Sequence, residues 1–345
     1  MKALVYRGPG KRAWEDVDRP TIQAPTDAIV RITTTTICGT DLHILEGDVP
    51  AVQPGRVLGH EGVGVVEEVG DAVRNVRPGD RVLISAITAD GRCDRCRIQM
   101  YSHCRNGGWV LGHLIDGTQA EFVRIPFADT STYKLGPDAD EEAMVMLSDI
   151  FPTGFEVGVL NGQVRPGNRV VIVGAGPIGL ASLLTAQLCG PSEIWMVDLD
   201  RNRLDVAKKW GATRTFDAGD ANLAETIREL TNGDGVDVAI EAVGVPATWD
   251  LCQKIVAPGG RIANVGVHGK AVQFDIERLW IQNITVTTGL VDTRTIPTLM
   301  RLIEAGKLDT RRMATHRFAL HDAMKAYDTF ANAAKEQAIK VVMRA

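Results

Sequence analysis

The chain has 345 residues, of which 45% are apolar and 23% are charged, a composition ordinary for a globular protein of about two domains. Its formal net charge is −5 and no run of lysine and arginine stands out, which argues against nucleic acid or an acidic membrane as a partner. No apolar stretch reaches the ~18 residues of a membrane-spanning helix, and the first residues alternate like a strand rather than a signal peptide. We therefore expect a cytoplasmic protein without membrane partners.

The first ~150 residues predict a mostly β domain, because short apolar alternations are separated by turn residues. The predicted strands are 28–37, 62–70, 80–85 and 120–125.

From residue ~165 the pattern changes to strands that alternate with helices, which predicts a doubly wound parallel sheet. The strands are near-continuous apolar runs, as expected when both faces of a sheet are buried. They are 169–174, 194–198, 236–244, 261–267 and 284–289, and the helices are 177–189, 201–210 and 247–256.

The last 55 residues predict two amphipathic helices, 295–306 and 320–330, and a strand, 338–344, that returns to the sheet of the first domain. The predicted fold is thus α/β, with a doubly wound domain of the Rossmann type over 151–290 and a mostly β domain over 1–150 and 291–345.

A glycine-rich loop, Gly174-Ala175-Gly176-Pro177-Ile178-Gly179, lies between a predicted strand and helix. The first glycine allows a tight turn, the second lets a pyrophosphate approach the backbone, and the third lets helix and strand pack closely. The loop predicts dinucleotide binding at a helix N-terminus.

Asp198 ends the next strand, where a carboxylate accepts hydrogen bonds from a ribose 2′-hydroxyl and repels a 2′-phosphate. The sequence therefore favours NAD over NADP, although Arg201 and Arg203 follow closely and would soften that preference.

Three residues far apart in the sequence predict a catalytic zinc site. Cys38, His60 and Asp149 offer a thiolate, an imidazole and a carboxylate, and three protein ligands leave a fourth position open for a substrate. A second group, Cys93, Cys96 and Cys104, predicts metal binding rather than disulfides in a chain of this kind.

These motifs together resemble the zinc-dependent medium-chain dehydrogenases/reductases, the alcohol dehydrogenase family with its GroES-like catalytic domain, over essentially the whole chain. The matching pieces are C-G-T-D-x-H at 38–43, G-H-E at 59–61, D-x-x-x-T-G at 149–154 and the loop at 174–179. An aspartate as third zinc ligand, with Trp109, resembles the bacterial secondary-alcohol dehydrogenases. Asp198 instead resembles the NAD-using branch.

The resemblance implies roles around the first metal. Glu61 would enter the zinc shell when substrate or water leaves, and Asp41 would orient His60. Thr40, a ribose hydroxyl of the coenzyme and His43 would carry the substrate proton to solvent.

The resemblance also implies a structural zinc lobe with the pattern D-x-x-C-x-x-C-x7-C, in which Asp90 replaces the family's first cysteine. Asp94 and His103 are alternative fourth ligands, and a metal-free lobe with free thiols is another possibility.

Further contacts follow from the same resemblance. Thr153 and Val265 would lie near the nicotinamide, and Lys340 would reach a coenzyme phosphate. Ala86, Ile87 and Trp109 would line an apolar substrate pocket.

The function predicted is an NAD-dependent zinc alcohol dehydrogenase that interconverts a small, mainly secondary alcohol with a ketone or aldehyde. One alternative is a polyol or amino-alcohol dehydrogenase of the same family, which would need a more polar pocket. Another is a zinc-free enone or quinone reductase, which would lack the Cys/His/Asp set. The remaining alternative is a non-catalytic protein that binds NAD and zinc. A homo-oligomer, dimer or tetramer, is expected.

Overall fold

The computed structural model describes residues 1–345. Its strands, β1 to β15 in chain order, are Lys2–Tyr6, Arg12–Asp16, Ala28–Thr36, Gly62–Val69, Arg81–Ile84, Phe122–Ile125, Thr132–Lys134, Arg169–Val173, Glu193–Asp198, Arg214–Asp217, Val236–Glu241, Val256–Asn264, Thr285–Thr288, Ala314–Ala319 and Lys340–Arg344.

The helices, α1 to α13, are Gly39–Glu46, Asp94–Arg97, Ala128–Ser131, Glu141–Val145, Ile150–Thr153, Pro177–Ala186, Arg201–Lys209, Leu223–Leu230, Pro246–Ile255, Ile276–Leu279, Ile296–Glu304, Ala323–Ala331 and Ala333–Glu336. A π-helical segment, Gly154–Leu160, continues α5. No helix has the length and apolar character that a membrane crossing requires.

The chain divides into two compact units, residues 1–149 with 292–345 and residues 150–291. The main sheet of the first unit has the order β14-β15-β3-β4-β5-β7, with β6 also paired to β3. All its pairings are antiparallel except β14 with β15. Because β15 pairs with β3, the predicted return of the last strand to the first sheet is confirmed.

The second unit is a six-stranded parallel sheet with the order β10-β9-β8-β11-β12-β13. This is the Rossmann order, with the topological switch point between β8 and β11, so the predicted α/β class is confirmed. The sequence reading missed β10, a four-residue edge strand with exposed ends, and the amphipathic helix α8.

Each unit has its own apolar core. In the first unit α12 packs on β15 and on the start of the chain, with Tyr6 and Tyr327 in one cluster. In the second, Trp195 and Val171 pack beneath α8 and α9. Burial of each large apolar side chain stabilises the fold by roughly 1.5–3 kcal/mol, which holds the loops at the strand ends in place.

Candidate functional site

Cys38, His60 and Asp149 converge in the first unit although they are distant in sequence. Cys38 follows β3 and caps α1, His60 precedes β4, and Asp149 lies between α4 and α5. Asp149 Oδ2 is 3.6 Å from Cys38 Sγ and 3.5 Å from His60 Nε2. All three are largely buried, so the predicted ligand set shares one small site.

Glu61 lies beside this set, and it is the ion-pair partner of the buried Lys340. Lys340 Nζ donates hydrogen bonds to Glu61 Oε2 at 2.5 Å and to the Ile37 carbonyl at 2.9 Å, and Thr36 also bonds to Glu61 Oε2. The Lys340 side chain is 1% exposed and its ammonium is paired with Glu61, so its contact with a coenzyme phosphate stays a prediction. A lysine at a strand end gave no sign of this burial.

The donor set fits a divalent cation. Ligand atoms of Cys38, His60 and Glu61 lie within 4.8 Å of one another, and Glu61 Oε1 is buried without a hydrogen-bond partner. Such an orphaned acceptor is costly unless something positive meets it. Three acidic groups, Cys38, Glu61 and Asp149, here face one lysine, so the residues present suit zinc.

Burial raises the pKa of the Cys38 thiol, so its ionisation needs a further positive charge. For His60, burial lowers the pKa, but the Asp149 carboxylate and Cys38 more than offset this and hold the pKa well above its ordinary value. The raised pKa of His60 shows that acidic groups surround it, whereas that of Cys38 reflects mainly burial.

Asp41 joins this site from α1. Its Oδ2 accepts the Cys38 N–H at 2.9 Å and a Gln119 N–H at 3.0 Å, and its Oδ1 lies 3.9 Å from His60 Nδ1. The sequence reasoning missed Gln119 and its partner Tyr327, because an isolated glutamine and a helical tyrosine carry no local signal.

Thr40 and His43 lie on α1, and they differ in exposure. Thr40 Oγ1 is 3.7 Å from Cys38 Sγ, beside the ligand set. The His43 side chain is 50% exposed, and its Nδ1 is 3.0 Å from Asp48 Oδ2. The two therefore span from the buried site to the surface within one helical turn.

Trp109 packs against the metal-ligand candidates. Its ring meets the His60 ring edge-on, with the ring centroids 6.3 Å apart, and stacks on the His113 ring at 4.3 Å. The sequence did not indicate the contact with His113. Trp109 Nε1 is buried without a partner. Ala86 and Ile87 are buried after β5.

The second metal group also assembles. Donor atoms of Asp90, Cys93, Cys96 and Cys104 lie within 4.8 Å of one another, so these residues suit a closed zinc site. Of the alternative ligands, Asp94 is engaged by Arg105 at 2.6 and 2.7 Å, and His103 Nδ1 by Ser102 at 2.9 Å. The geometry favours Asp90.

Asp90 is held by several donors. Its Oδ1 accepts the N–H groups of Arg92 and Cys93 at 2.8 and 3.0 Å, and its Oδ2 accepts Asn106 Nδ2 at 2.7 Å. Burial opposes ionisation, but these bonds hold the pKa of Asp90 well below its ordinary value. Burial also raises the pKa of the Cys96 thiol to about 12.

The glycine-rich loop and Asp198 line a cavity of about 530 Å³ at the carboxyl ends of β8 and β9. Gly174 has φ +108°, and a Cβ on Gly179 would lie 1.8 Å from the Gly174 carbonyl oxygen. Pro177 and Ile178 open α6. Asp198 Oδ2 accepts the Ala175 N–H at 2.6 Å, and Arg203 also lines the cavity.

Thr153 ends α5, and Val265 follows β12 with its N–H bonded to the Glu241 carbonyl at 2.8 Å. The sequence reasoning missed Glu241. It is fully buried at the end of β11, where Oε1 accepts the N–H groups of Val243 and Gly244 at 3.0 and 2.8 Å. The sequence shows Glu241 only as a residue late in a predicted strand, which does not reveal these hydrogen bonds.

Family models match both units of the chain. Residues 24–138 match the alcohol dehydrogenase GroES-like domain, and residues 177–305 match the zinc-binding dehydrogenase family.

The similarity extends to whole proteins. The solved structure of zinc dependent alcohol dehydrogenase 2 from Streptococcus pneumoniae, in apo form, is 52% identical, with a TM-score of 0.96 over 100% of this chain and 98% of that chain. An alcohol dehydrogenase from Cupriavidus necator is 35% identical, with 96% of this chain and 95% of that protein covered. An NADP-dependent isopropanol dehydrogenase from Thermoanaerobacter brockii is 34% identical, with 92% of each covered.

Proposed function

Because the chain belongs to the zinc-dependent alcohol dehydrogenase family of the medium-chain dehydrogenases/reductases, an oxidoreductase family that acts on alcohols, we propose that it transfers hydride between NAD and small secondary alcohols. The convergence of Cys38, His60 and Asp149 within 3.6 Å contacts carries the proposal. A non-catalytic NAD- and zinc-binding protein would not need the Thr40 hydroxyl and the half-exposed His43 beside the ligand set.

We propose Cys38, His60 and Asp149 as the catalytic zinc ligands, with Glu61 as a reserve ligand. When bound, the metal supplies Lewis-acid polarisation of the substrate oxygen and lowers the pKa of its hydroxyl. Lys340 holds Glu61 Oε2, so Glu61 Oε1 is the atom left for the metal.

Thr40 and His43 are proposed to carry the substrate proton. A threonine hydroxyl donates and accepts at once, and Thr40 lies beside Cys38. His43 lies on α1 with its side chain half exposed, and an imidazole can accept and release a proton. His43 is proposed to release the proton to solvent, and a bound coenzyme would supply a ribose hydroxyl between the two side chains.

NAD is the proposed coenzyme, although one relative is NADP-dependent by name. Asp198 supports NAD because its carboxylate lines the cavity beside the glycine-rich loop. A 2′-phosphate would bring further negative charge to it. The proposed contacts are Gly174, Gly176, Pro177, Ile178 and Gly179 for the pyrophosphate, Asp198 and Arg203 for the adenosine, and Thr153 and Val265 for the nicotinamide.

The proposed substrates are small and apolar apart from the reacting oxygen. Ala86 and Ile87 offer no polar atoms beyond the backbone, and Trp109 offers one indole N–H. Polyols would leave several hydroxyl groups unpaired against such residues. Trp109 Nε1, buried without a partner, leaves room for one hydrogen bond to a substrate.

The proposal includes a cytoplasmic homo-oligomer, dimer or tetramer, and a structural zinc held by Asp90, Cys93, Cys96 and Cys104. Four donor atoms from one short lobe would complete the tetrahedral shell of such an ion.

The test is zinc per chain by elemental analysis in wild type and Asp149→Ala, with NAD⁺ reduction on 2-propanol, 2-butanol and ethanol. We expect two zinc ions in wild type and one in the variant, with loss of activity. A single zinc that survives the substitution would mean that only the lobe is filled and would overturn the mechanism. Activity on polyols but not on 2-propanol or 2-butanol would favour the polyol alternative.

A further inference from the structure

A buried chain of hydrogen bonds connects α12 to the residues around Cys38 and His60. Tyr327 Oη donates to Gln119 Oε1 at 2.7 Å, and Gln119 Nε2 donates to Asp41 Oδ2 at 3.0 Å. Tyr327 and Gln119 are both 0% exposed. A buried polar group without a hydrogen-bond partner lowers the stability of the fold, so the side chains in this hydrogen-bond chain keep a fixed geometry.

The direction of each bond is determined by chemistry. Gln119 Nε2 also donates to the Thr36 carbonyl at 3.1 Å, and neither a carbonyl nor a carboxylate can donate. The amide must therefore present its NH₂ group to Thr36 and Asp41, and its oxygen to Tyr327. The tyrosine is then the obligatory donor, and burial, which raises its pKa well above the ordinary value, keeps the proton in place.

This hydrogen-bond chain ends at the candidate metal ligands. Asp41 Oδ2 is fixed by two donors, Gln119 and the Cys38 N–H, which turns Oδ1 toward His60 Nδ1 at 3.9 Å. Both Oδ1 and Nδ1 are buried without another partner. Histidines that bind metals ordinarily donate their second ring N–H to a carboxylate, which sets the orientation of the ring.

We propose that Gln119 and Tyr327 are positioning residues for the metal centre, which fix the rotamer of Asp41 and through it the orientation of His60. The inference rests on the proposed zinc-binding role of Cys38, His60 and Asp149. It assigns a role to α12, which offers no ligand itself: the helix supports the metal site across the unit. Arg12 lies over the Tyr327 ring at 5.0 Å and closes the outer end of the chain.

The experiment measures the rate at which a chelating dye removes zinc from the holoenzyme. Two phases are expected in wild type, and the phase that disappears in Asp149→Ala belongs to the Cys38/His60 site. Tyr327→Phe, which removes one hydroxyl, should accelerate that phase by about 10-fold, the lower end of the effect of an outer-shell change. The phase of the Asp90 lobe should not change.

Tyr6→Phe is the matched control, because Tyr6 lies in the same apolar cluster as Tyr327 and has no side-chain bond to this chain of residues. A merely structural role would change both zinc phases together, or both tyrosine variants alike, and would overturn the inference. Gln119→Met removes the donor to Asp41 and should accelerate the same phase at least as much, so it decides the matter if Tyr327→Phe does not fold. Absence of an Asp149-dependent phase in wild type would overturn the proposed function, and the inference with it.

Discussion

Thr40 is the residue at which the proposed proton path can be tested with the smallest change. Thr40→Ala should lower kcat by roughly 10²–10⁴-fold, because a positioned proton carrier contributes that much, while Thr40→Ser should stay within about tenfold of wild type. Steady-state kinetics with 2-propanol and NAD⁺ measure both. Zinc content is the control, since Thr40 is not a proposed ligand. Full activity in Thr40→Ala at unchanged zinc content would remove this residue from the path.

Asp198 decides the proposed choice of coenzyme. Asp198→Asn should raise the ratio of kcat/KM for NADP⁺ over NAD⁺ by about 10-fold or more, because it removes a charge that repels the 2′-phosphate. Asp200→Asn is the matched control: Asp200 caps α7 through the Asn202 N–H at 2.9 Å and does not line the cavity. An equal change in both variants would show a general field effect instead of a contact with the ribose.

Individual residues also show where sequence reasoning ends. The glycine loop was predictable because its glycines are required by local geometry. Gly174 has a positive φ, and Gly179 packs too closely against Gly174 to carry a Cβ. The burial of Lys340 was not predictable because its ion-pair partner, Glu61, is 279 residues away. The same holds for Tyr327 and Gln119, 208 residues apart. Long-range pairs of this kind leave no periodicity or motif in the sequence.

At the scale of elements, we expect the lobe that contains α2 to depend on the proposed structural zinc. Its buried cluster consists of Ala89, Cys96 and Cys104, too small a core to hold a loop by itself. Asp90→Ala should therefore lose one zinc per chain and lower the melting temperature, while Asp90→Cys should keep both. Elemental analysis and differential scanning calorimetry measure this. Retention of two zinc ions in Asp90→Ala would indicate another fourth ligand. Asp94→Ala is the control, because Asp94 is a neighbouring carboxylate that is paired with Arg105 and this variant should keep both zinc ions.

Helix α4 is tied to β14 and β15 by the buried Glu142. The Arg317 guanidinium, at 2.7 and 2.8 Å, lowers the pKa of Glu142, and Arg344 adds to this. A carboxyl with a lowered pKa stabilises the fold above its ordinary pKa of 4.5, and this contribution is lost as the pH falls through the lowered value.

Glu142→Gln should therefore reduce the free energy of unfolding by about 1.5–3 kcal/mol at pH 7, and the difference from wild type should shrink below pH ~4.5. Denaturant unfolding between pH 7 and 3.5 tests this, with the exposed Glu229→Gln as control. A difference that stays constant with pH would mean that packing, not charge, is lost.

Secondary-structure elements were predicted most reliably where their residues are almost all buried. Strands β8, β9 and β11 followed from apolar runs, and α6 from the loop before it. Strand β10 was missed because its four residues lie at the sheet edge, with charged, exposed residues at both ends and only two half-buried residues between them. The doubly wound class followed from the β-α alternation, whereas the order of the strands is known only from the structure.

The whole molecule carries an unpaired edge that bears on its assembly. Strand β13 ends the parallel sheet, and beside it in sequence Ile276, Trp280 and Ile281 are 56%, 68% and 67% exposed. An open edge next to large exposed apolar side chains is a surface that proteins ordinarily cover. The predicted homo-oligomer would cover it with the same face of a second copy, since closed dimers use one self-complementary patch.

Trp280→Glu should therefore shift the protein to a smaller species, because a charge buried in a symmetric interface meets its own copy or stays unpaired. Size-exclusion chromatography with light scattering at several protein concentrations measures the mass. Leu230→Glu is the control, since Leu230 is exposed at the end of α8 in the same unit. A change from tetramer to dimer would place this face at one of two interfaces, whereas a change from dimer to monomer would make it the sole one. Unchanged mass in Trp280→Glu would show that the exposed residues serve another purpose and that the subunits associate elsewhere.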